Sequence, residues 1–144
     1  MTLLGENFVM WRDTKGRMGA MAEACPHRGA SLYFARNEDC GLRCVYHGWK
    51  YDVDGNLVDT PTELNPDFGK KIRHKAYPTR EAGGIVWTYM GPRAEPPPFP
   101  DFLFTSLPAH RVIAYHYNQS CNYLQGIEAD LDISHASYLH STIS

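Results

Sequence analysis

Two short segments constrain this chain more than anything else in it: Cys25-Pro26-His27-Arg28-Gly29 and Cys44-Val45-Tyr46-His47-Gly48. Each carries one thiol and one imidazole, and residues 28–43 separate the two pairs. Two Cys and two His suit a tetrahedral structural zinc site. Their even division between two loops also suits two irons with different ligands, both thiolates on one and both imidazoles on the other. Gly29 and Gly48 follow the histidines, where a loop must curl around a bulky group without side-chain hindrance. Backbone amides are then free to face sulfur, and Trp49 is placed to shield the group from water. On these residues alone both metals stay open. Cys40 rivals Cys44 by proximity, but "NEDCG" reads as a turn and only Cys44 has the Cys-x-x-His spacing. Cys121 reads as a buried small apolar residue.

Composition decides what these thiols are free to do. The 144 residues allow one ordinary domain and the opening of another. Apolar residues make up 43% and charged residues 21%, the balance of a globular protein. A net charge of −2 with scattered Lys and Arg offers no nucleic-acid or anionic-membrane surface. No apolar run is long enough to cross a bilayer, and "MTLLGENFVMWRD" lacks the basic start and apolar stretch of a signal peptide. The expected location is cytoplasmic, where cysteines serve as ligands more often than as disulfides.

Residues 1–91 read as a small all-β domain. "NFVMWR" (7–12) and "MGAMAEA" (18–24) make a hairpin around "DTKGR". "KYDV" (50–53) and "LVD" (57–59) make another around Asp-Gly-Asn. "IRHKAYPTREAGGIVWTYMG" (72–91) makes a third, its second half rich in β-branched and aromatic residues. Six of the ten prolines then fall between residues 92 and 108, so 92–110 reads as an extended, semi-rigid linker. Beyond it, 111–144 begins a second domain, incomplete because one strand and one helix cannot bury a core. "RVIAYHYN" (111–118) reads as its strand. "NYLQGIEADLDISHASYLH" (122–140) reads as its helix, with Leu124, Ile127, Leu131 and Tyr138 within about 60° of one another on one apolar stripe.

That helix carries Asp132, His135 and His140. Histidines on a helix are usually structural or solvent-exposed, so the trio is weak evidence alone. Asp132 and His135 are neighbours on one face. His135 and His140 stand about 140° apart on an ideal helix, so they converge only if it ends or bulges between them, with Ser137 and Tyr138 the expected break. Glu128 and Asp130 are nearby rival acids, read as solvated. His74, His110 and His116 read as structural or surface residues.

"CPHRGASL" and "CVYHGWKYDVDGN" resemble the two cluster-binding loops of Rieske 2Fe–2S proteins, on the ring-hydroxylating oxygenase branch. Respiratory Rieske proteins usually carry an extra cysteine in each loop, and neither loop has one here. "CNYLQGIEADLDISHASYLH" is similar to the phthalate dioxygenase and phenoxybenzoate dioxygenase group rather than the naphthalene type, which usually has Asn where Glu128 stands. The resemblance implies a mainly β fold: a Rieske-type antiparallel β domain, then a Pro-rich linker into the truncated start of an α+β (helix-grip) catalytic domain. It implies that Cys25, His27, Cys44 and His47 hold a 2Fe–2S cluster. It implies that His135 and His140 are two ligands of a mononuclear Fe(II) whose third, a carboxylate, lies outside this sequence. Asp132 would bind no iron; it would bridge a cluster histidine and an iron histidine, usually across adjacent subunits of a homotrimer or larger ring. The implied partners are a flavin- or ferredoxin-type reductase, O₂ and an aromatic substrate. Taken alone, this stretch would bind a cluster without competent oxygenation. Two other readings stand beside it. One is a Rieske ferredoxin, which would end before residues 111–144. The other is a zinc-stabilised structural module.

Overall fold

The computed structural model describes residues 1–65 and 67–141, in two compact units, Met1–Ala114 and Tyr115–Ser144. The described strands of the first unit all pair antiparallel. β1 (Thr2–Leu3), β2 (Glu6–Arg12) and β3 (Met18–Ala22) form one sheet in chain order. The β2–β3 hairpin is buried on both faces because its side chains alternate between two apolar clusters. Val9, Trp11 and Met21 enter the main core, whereas Phe8 and Ala20 meet Tyr77 on the other side. Phe8 is 0% exposed. Phe8→Ala is therefore expected to cost about 3–5 kcal/mol in denaturant unfolding, and a cost below about 1 kcal/mol would contradict that packing.

The second sheet runs β4 (Arg36–Glu38), β5 (Gly41–Arg43), β6 (Lys50–Tyr51) and β7 (Leu57–Asp59). "NEDCG" is the tight turn expected: Asp39 and Cys40 sit at φ 43° and 60°, the two left-handed positions of a two-residue hairpin. The Cys40 amide donates to Thr14 Oγ1 at 2.9 Å and its sulfur lies 3.1 Å from that oxygen, tying this hairpin to the first. β6 stops before Asp52 because the Asp52 carboxylate accepts the amides of Asp54 and Asn56 at 3.0 and 2.8 Å, which turns the chain.

A third hairpin pairs β8 (Thr79–Ala82) with β9 (Ile85–Thr88). The proline-rich stretch after it does not run free. Phe99 and Phe102 pack on Trp87 at ring separations of 5.3 and 5.6 Å, and the Arg80 guanidinium lies 4.3 Å over Phe99. This stretch is thus anchored to the hairpin that precedes it.

In the second unit, α1 (Tyr123–Leu131) is capped by Asn122, whose side chain accepts the amides of Leu124 and Gln125. The single helix expected over 122–140 is divided. Asp132 leaves helical geometry at ψ 83°, and α2 (Ser134–Leu139) starts afresh. Leu124, Ile127, Leu131 and Tyr138 are all exposed, and the last belongs to the second helix, so the expected continuous stripe is broken. The strand expected at 111–118 does not form: no described strand pairs with it, and a lone strand has no partners for its backbone groups. Cys121, expected to be buried, is exposed just before the α1 cap.

Candidate metal centre

The two Cys/His segments fold alike, down to their hydrogen bonds. Ala24 and Ser31 bridge the ends of loop 25–30, and Arg43 and Lys50 pair across the ends of loop 44–49. The Cys25 amide donates to the Ala30 carbonyl at 2.9 Å, and the Cys44 amide to Trp49 at the same distance. The amides of Gly29 and Gly48 return to the carbonyls of Cys25 and Cys44 at 2.8 and 3.1 Å. Both turns need a left-handed residue, and the glycines supply φ 72° and 76°. At Gly48 a second reason applies, since an added Cβ would lie 2.9 Å from Pro61 Cγ.

Within these matched frames the donors sort by depth. Cys25 and Cys44 are 2% and 3% exposed and belong to the main core beside Val9, Trp11, Met21, Leu42 and Leu57. Both are free thiols. Burial pushes the Cys25 thiol up against the opposing hydrogen bond from Tyr51, and the nearby Cys44 adds to the rise. A thiol pair of this kind ionises readily only when a cation takes the place of the protons. His27 and His47 stand half-buried, with ring centroids 4.4 Å apart. His27 Nδ1 is buried without a hydrogen-bond partner among the described residues. Burial first, then the charges of His47 and Arg28, lower the His27 pKa, favouring the neutral imidazole that binds metal. Trp49 stacks on His27 at 4.4 Å with the planes 5° apart, and Phe68 meets Trp49 edge-on at 5.8 Å.

Among the described residues, no three Cys, His, Asp or Glu side chains converge as one ion requires. Structural zinc needs four such donors around a single point. A buried thiol pair beside an imidazole pair with an unpartnered nitrogen instead fits two irons, each taking two protein ligands. Cys40 meets Thr14 in a hairpin turn and lies outside both loops.

Sequence reasoning missed Tyr51, which the alternation of β6 turns inward. It is 0% exposed, and its hydroxyl lies 3.3 Å from Cys25 Sγ. Burial raises its pKa, so it stays a protonated donor. A hydrogen bond to a ligating sulfur stabilises added negative charge, so Tyr51→Phe is expected to lower the reduction potential by tens of millivolts. Redox titration of the loaded protein measures it, and an unchanged potential would place the hydroxyl outside the cluster's field.

The second constellation is less assembled. Asp132, expected on one helix face with His135, is the C-cap of α1. Its carboxylate accepts the Ser134 amide at 3.1 Å and the Ser134 hydroxyl, and the Ser134 bonds hold its pKa below the usual carboxylate range. His135 Nδ1 lies 2.5 Å from the Asp132 carbonyl oxygen. The helix does end between the two histidines, at Leu139 rather than at Ser137–Tyr138, and the His135 and His140 rings meet at 5.9 Å. Glu128 and Asp130 are exposed, as are His110 and His116, whereas His74 is buried and 2.7 Å from the Ala22 carbonyl through Nε2.

Thiols rooted in a β core and imidazoles presented on two matched loops suit a mixed-ligand iron–sulfur module. Residues 1–78, which contain all four donors, match the family described as the Rieske [2Fe-2S] domain. The chain belongs to that family and carries its domain. The oxygenase subunit of phthalate 4,5-dioxygenase from Pseudomonas putida is 47% identical over 144 residues, covering 97% of this chain and 32% of that protein. Dicamba monooxygenase bound to dicamba aligns with a TM-score of 0.79 and 28% identity over 97% of this chain and 42% of its own. An oxygenase–ferredoxin complex of carbazole 1,9a-dioxygenase aligns at 0.59 and 34% identity over 68% and 26%. The chain spans about a third of the length of the curated relatives it matches. No helix among the described residues is long and apolar enough to cross a membrane.

Proposed function

We propose that this chain is part of the oxygenase component of a Rieske non-haem iron oxygenase acting on an aromatic compound by hydroxylation or O-demethylation. The observation that carries the reading is the pair of matched loops, with Cys25 and Cys44 in the core and His27 and His47 side by side above them. Cys25 and Cys44 would hold one iron of the cluster, and His27 and His47 the other. His135 and His140, at opposite ends of α2, would hold a mononuclear Fe(II), with Asp132 as a link toward a neighbouring subunit's cluster. When bound, these groups supply one-electron exchange and O₂ activation.

The chain's own residues set the conditions for that chemistry. Neutral imidazoles in place of two thiolates leave the centre less negative, which raises its potential above the all-cysteine clusters. The Tyr51 hydroxyl acts in the same direction at Cys25. Trp49 covers one face of the His27 ring and limits water there. Residues 1–91, 92–110 and 111–144 would serve as Rieske domain, linker and start of the iron domain. The reading extends to a flavin- or ferredoxin-type reductase as electron donor, a homotrimer or larger ring, and a cytoplasmic location. The α1–α2 segment with its paired histidines favours an oxygenase over a ferredoxin-type carrier.

Visible absorption, EPR, and iron and acid-labile sulfide analysis of the anaerobically purified protein test the ligand set. The expected result is a coloured protein with about two irons and two sulfides per chain. A colourless protein with one zinc per chain would overturn it.

A further inference from the structure

The backbone frames of the two loops match, yet among the described residues only the second has its glycine carbonyl held by a side chain. Arg43 immediately precedes Cys44, and its side chain is 12% exposed. Its Nη1 donates to the Gly48 carbonyl at 2.6 Å. Its Nε donates to the Glu38 carboxylate, and its Nη2 reaches Asp59 Oδ2 at 2.7 Å. Glu38 lies on β4 and Asp59 on β7, so one guanidinium joins the loop carbonyl to strands on both sides of the β5–β6 hairpin. The corresponding residue before the first loop is Ala24, and among the described residues no donor reaches the Gly29 carbonyl.

The bond falls where the loop is weakest. Gly48 lacks a Cβ and sits at φ 76°, so the peptide after it is the one most free to rotate. In a trans peptide the Trp49 N–H points opposite to the Gly48 carbonyl. With that carbonyl held by Arg43, the amide is turned away from the guanidinium, and it donates to no backbone carbonyl among the described residues. His47 and Trp49, the two residues flanking Gly48, are the ones that meet the His27 ring.

We infer that Arg43 is a positioning residue for the second metal-binding loop: its three-way fork locks the Gly48–Trp49 peptide and thereby the placement of His47 and Trp49 around the cluster. The inference rests on reading Cys44 and His47 as cluster ligands. Charge alone is not the operative property, since Arg36 also reaches Glu38 at 3.7 Å. The fork is: a lysine offers a point charge and no planar set of donors that reaches three acceptors at once.

The test compares cluster-loaded wild type with Arg43→Lys and Arg43→Ala by EPR, redox titration and the rate of iron loss to an excess of chelator. Arg43→Lys is expected to lose iron about tenfold faster or more, the scale of support for metal ligands by their neighbours. Its EPR signal and potential shift as well. Arg12→Lys, at the exposed ion pair with Glu81, is the control expected to change none of these. If Arg43→Ala does not fold, Arg43→Lys and Asp59→Ala decide the matter, since each removes part of the fork. A loaded Arg43→Lys with wild-type spectrum, potential and chelation rate overturns the inference alone. A wild type that binds no two-iron cluster overturns the ligand reading, and the inference falls with it.

Discussion

Cys44→Ala is expected to yield a folded chain with no bound iron, whereas Cys40→Ala keeps the wild-type content of about two irons. The two cysteines are close in sequence and opposite in circumstance. Cys44 sits in the core within reach of Cys25, and removing its sulfur leaves one iron with a single protein thiolate. Cys40 occupies a hairpin turn and bonds to Thr14. The shared β scaffold is rooted in Phe8, Met21, Leu32 and Tyr51, none of which touches metal chemistry except through Tyr51, so far-UV circular dichroism should persist in both variants. Iron analysis separates them. Full iron in Cys44→Ala, or its loss in Cys40→Ala alone, would reassign the ligand.

His47→Cys is expected to retain a cluster whose potential lies lower by roughly a hundred millivolts or more. The substitution exchanges a neutral donor for an anionic one, so the oxidised centre gains negative charge and accepts an electron less readily. The range of mixed Cys/His clusters, roughly −150 to +300 mV, lies well above the roughly −400 mV of plant-type all-cysteine clusters, and one exchange moves part of that way. The half-buried His47 ring stands tilted beside the His27 ring and next to Tyr46 at a centroid distance of 3.9 Å, so the smaller side chain enters space that is already formed. His27→Cys should lower the potential too, and it also removes the stacking partner of Trp49, so faster cluster loss is expected there. A potential unchanged in both variants would show that these rings are not iron ligands.

Much of the first unit was legible because its signals are local. Alternation in "NFVMWR" and the Asp-Gly turn each set a hairpin within a few residues, and pairing followed; "NEDCG" was legible as a turn, while the strands it joins emerged only in the structure. The helical stretch was legible in kind but not in detail. An apolar period cannot show that the Asp132 carboxylate will turn back to Ser134 and interrupt the helix. The predicted strand at 111–118 failed for the converse reason: β-propensity describes a surface suited to pairing, and pairing needs a neighbour.

The sequence by itself determined the candidate donor set, since only four residues had both the chemistry and the Cys-x-His and Cys-x-x-His spacing, and it determined the β character of the loops' support. Tertiary structure alone decided that the thiols lie inside the core while the imidazoles stand at its edge, and that the two loops share one frame. It also decided that Tyr51 and Arg43 serve them. Those outcomes depend on which distant strands become neighbours: Glu38 and Asp59 flank Arg43, and Tyr51 reaches Cys25, only after the sheet has closed. Spacing along a chain carries the identity of ligands, but the dielectric and hydrogen bonds around them are properties of the packed interior.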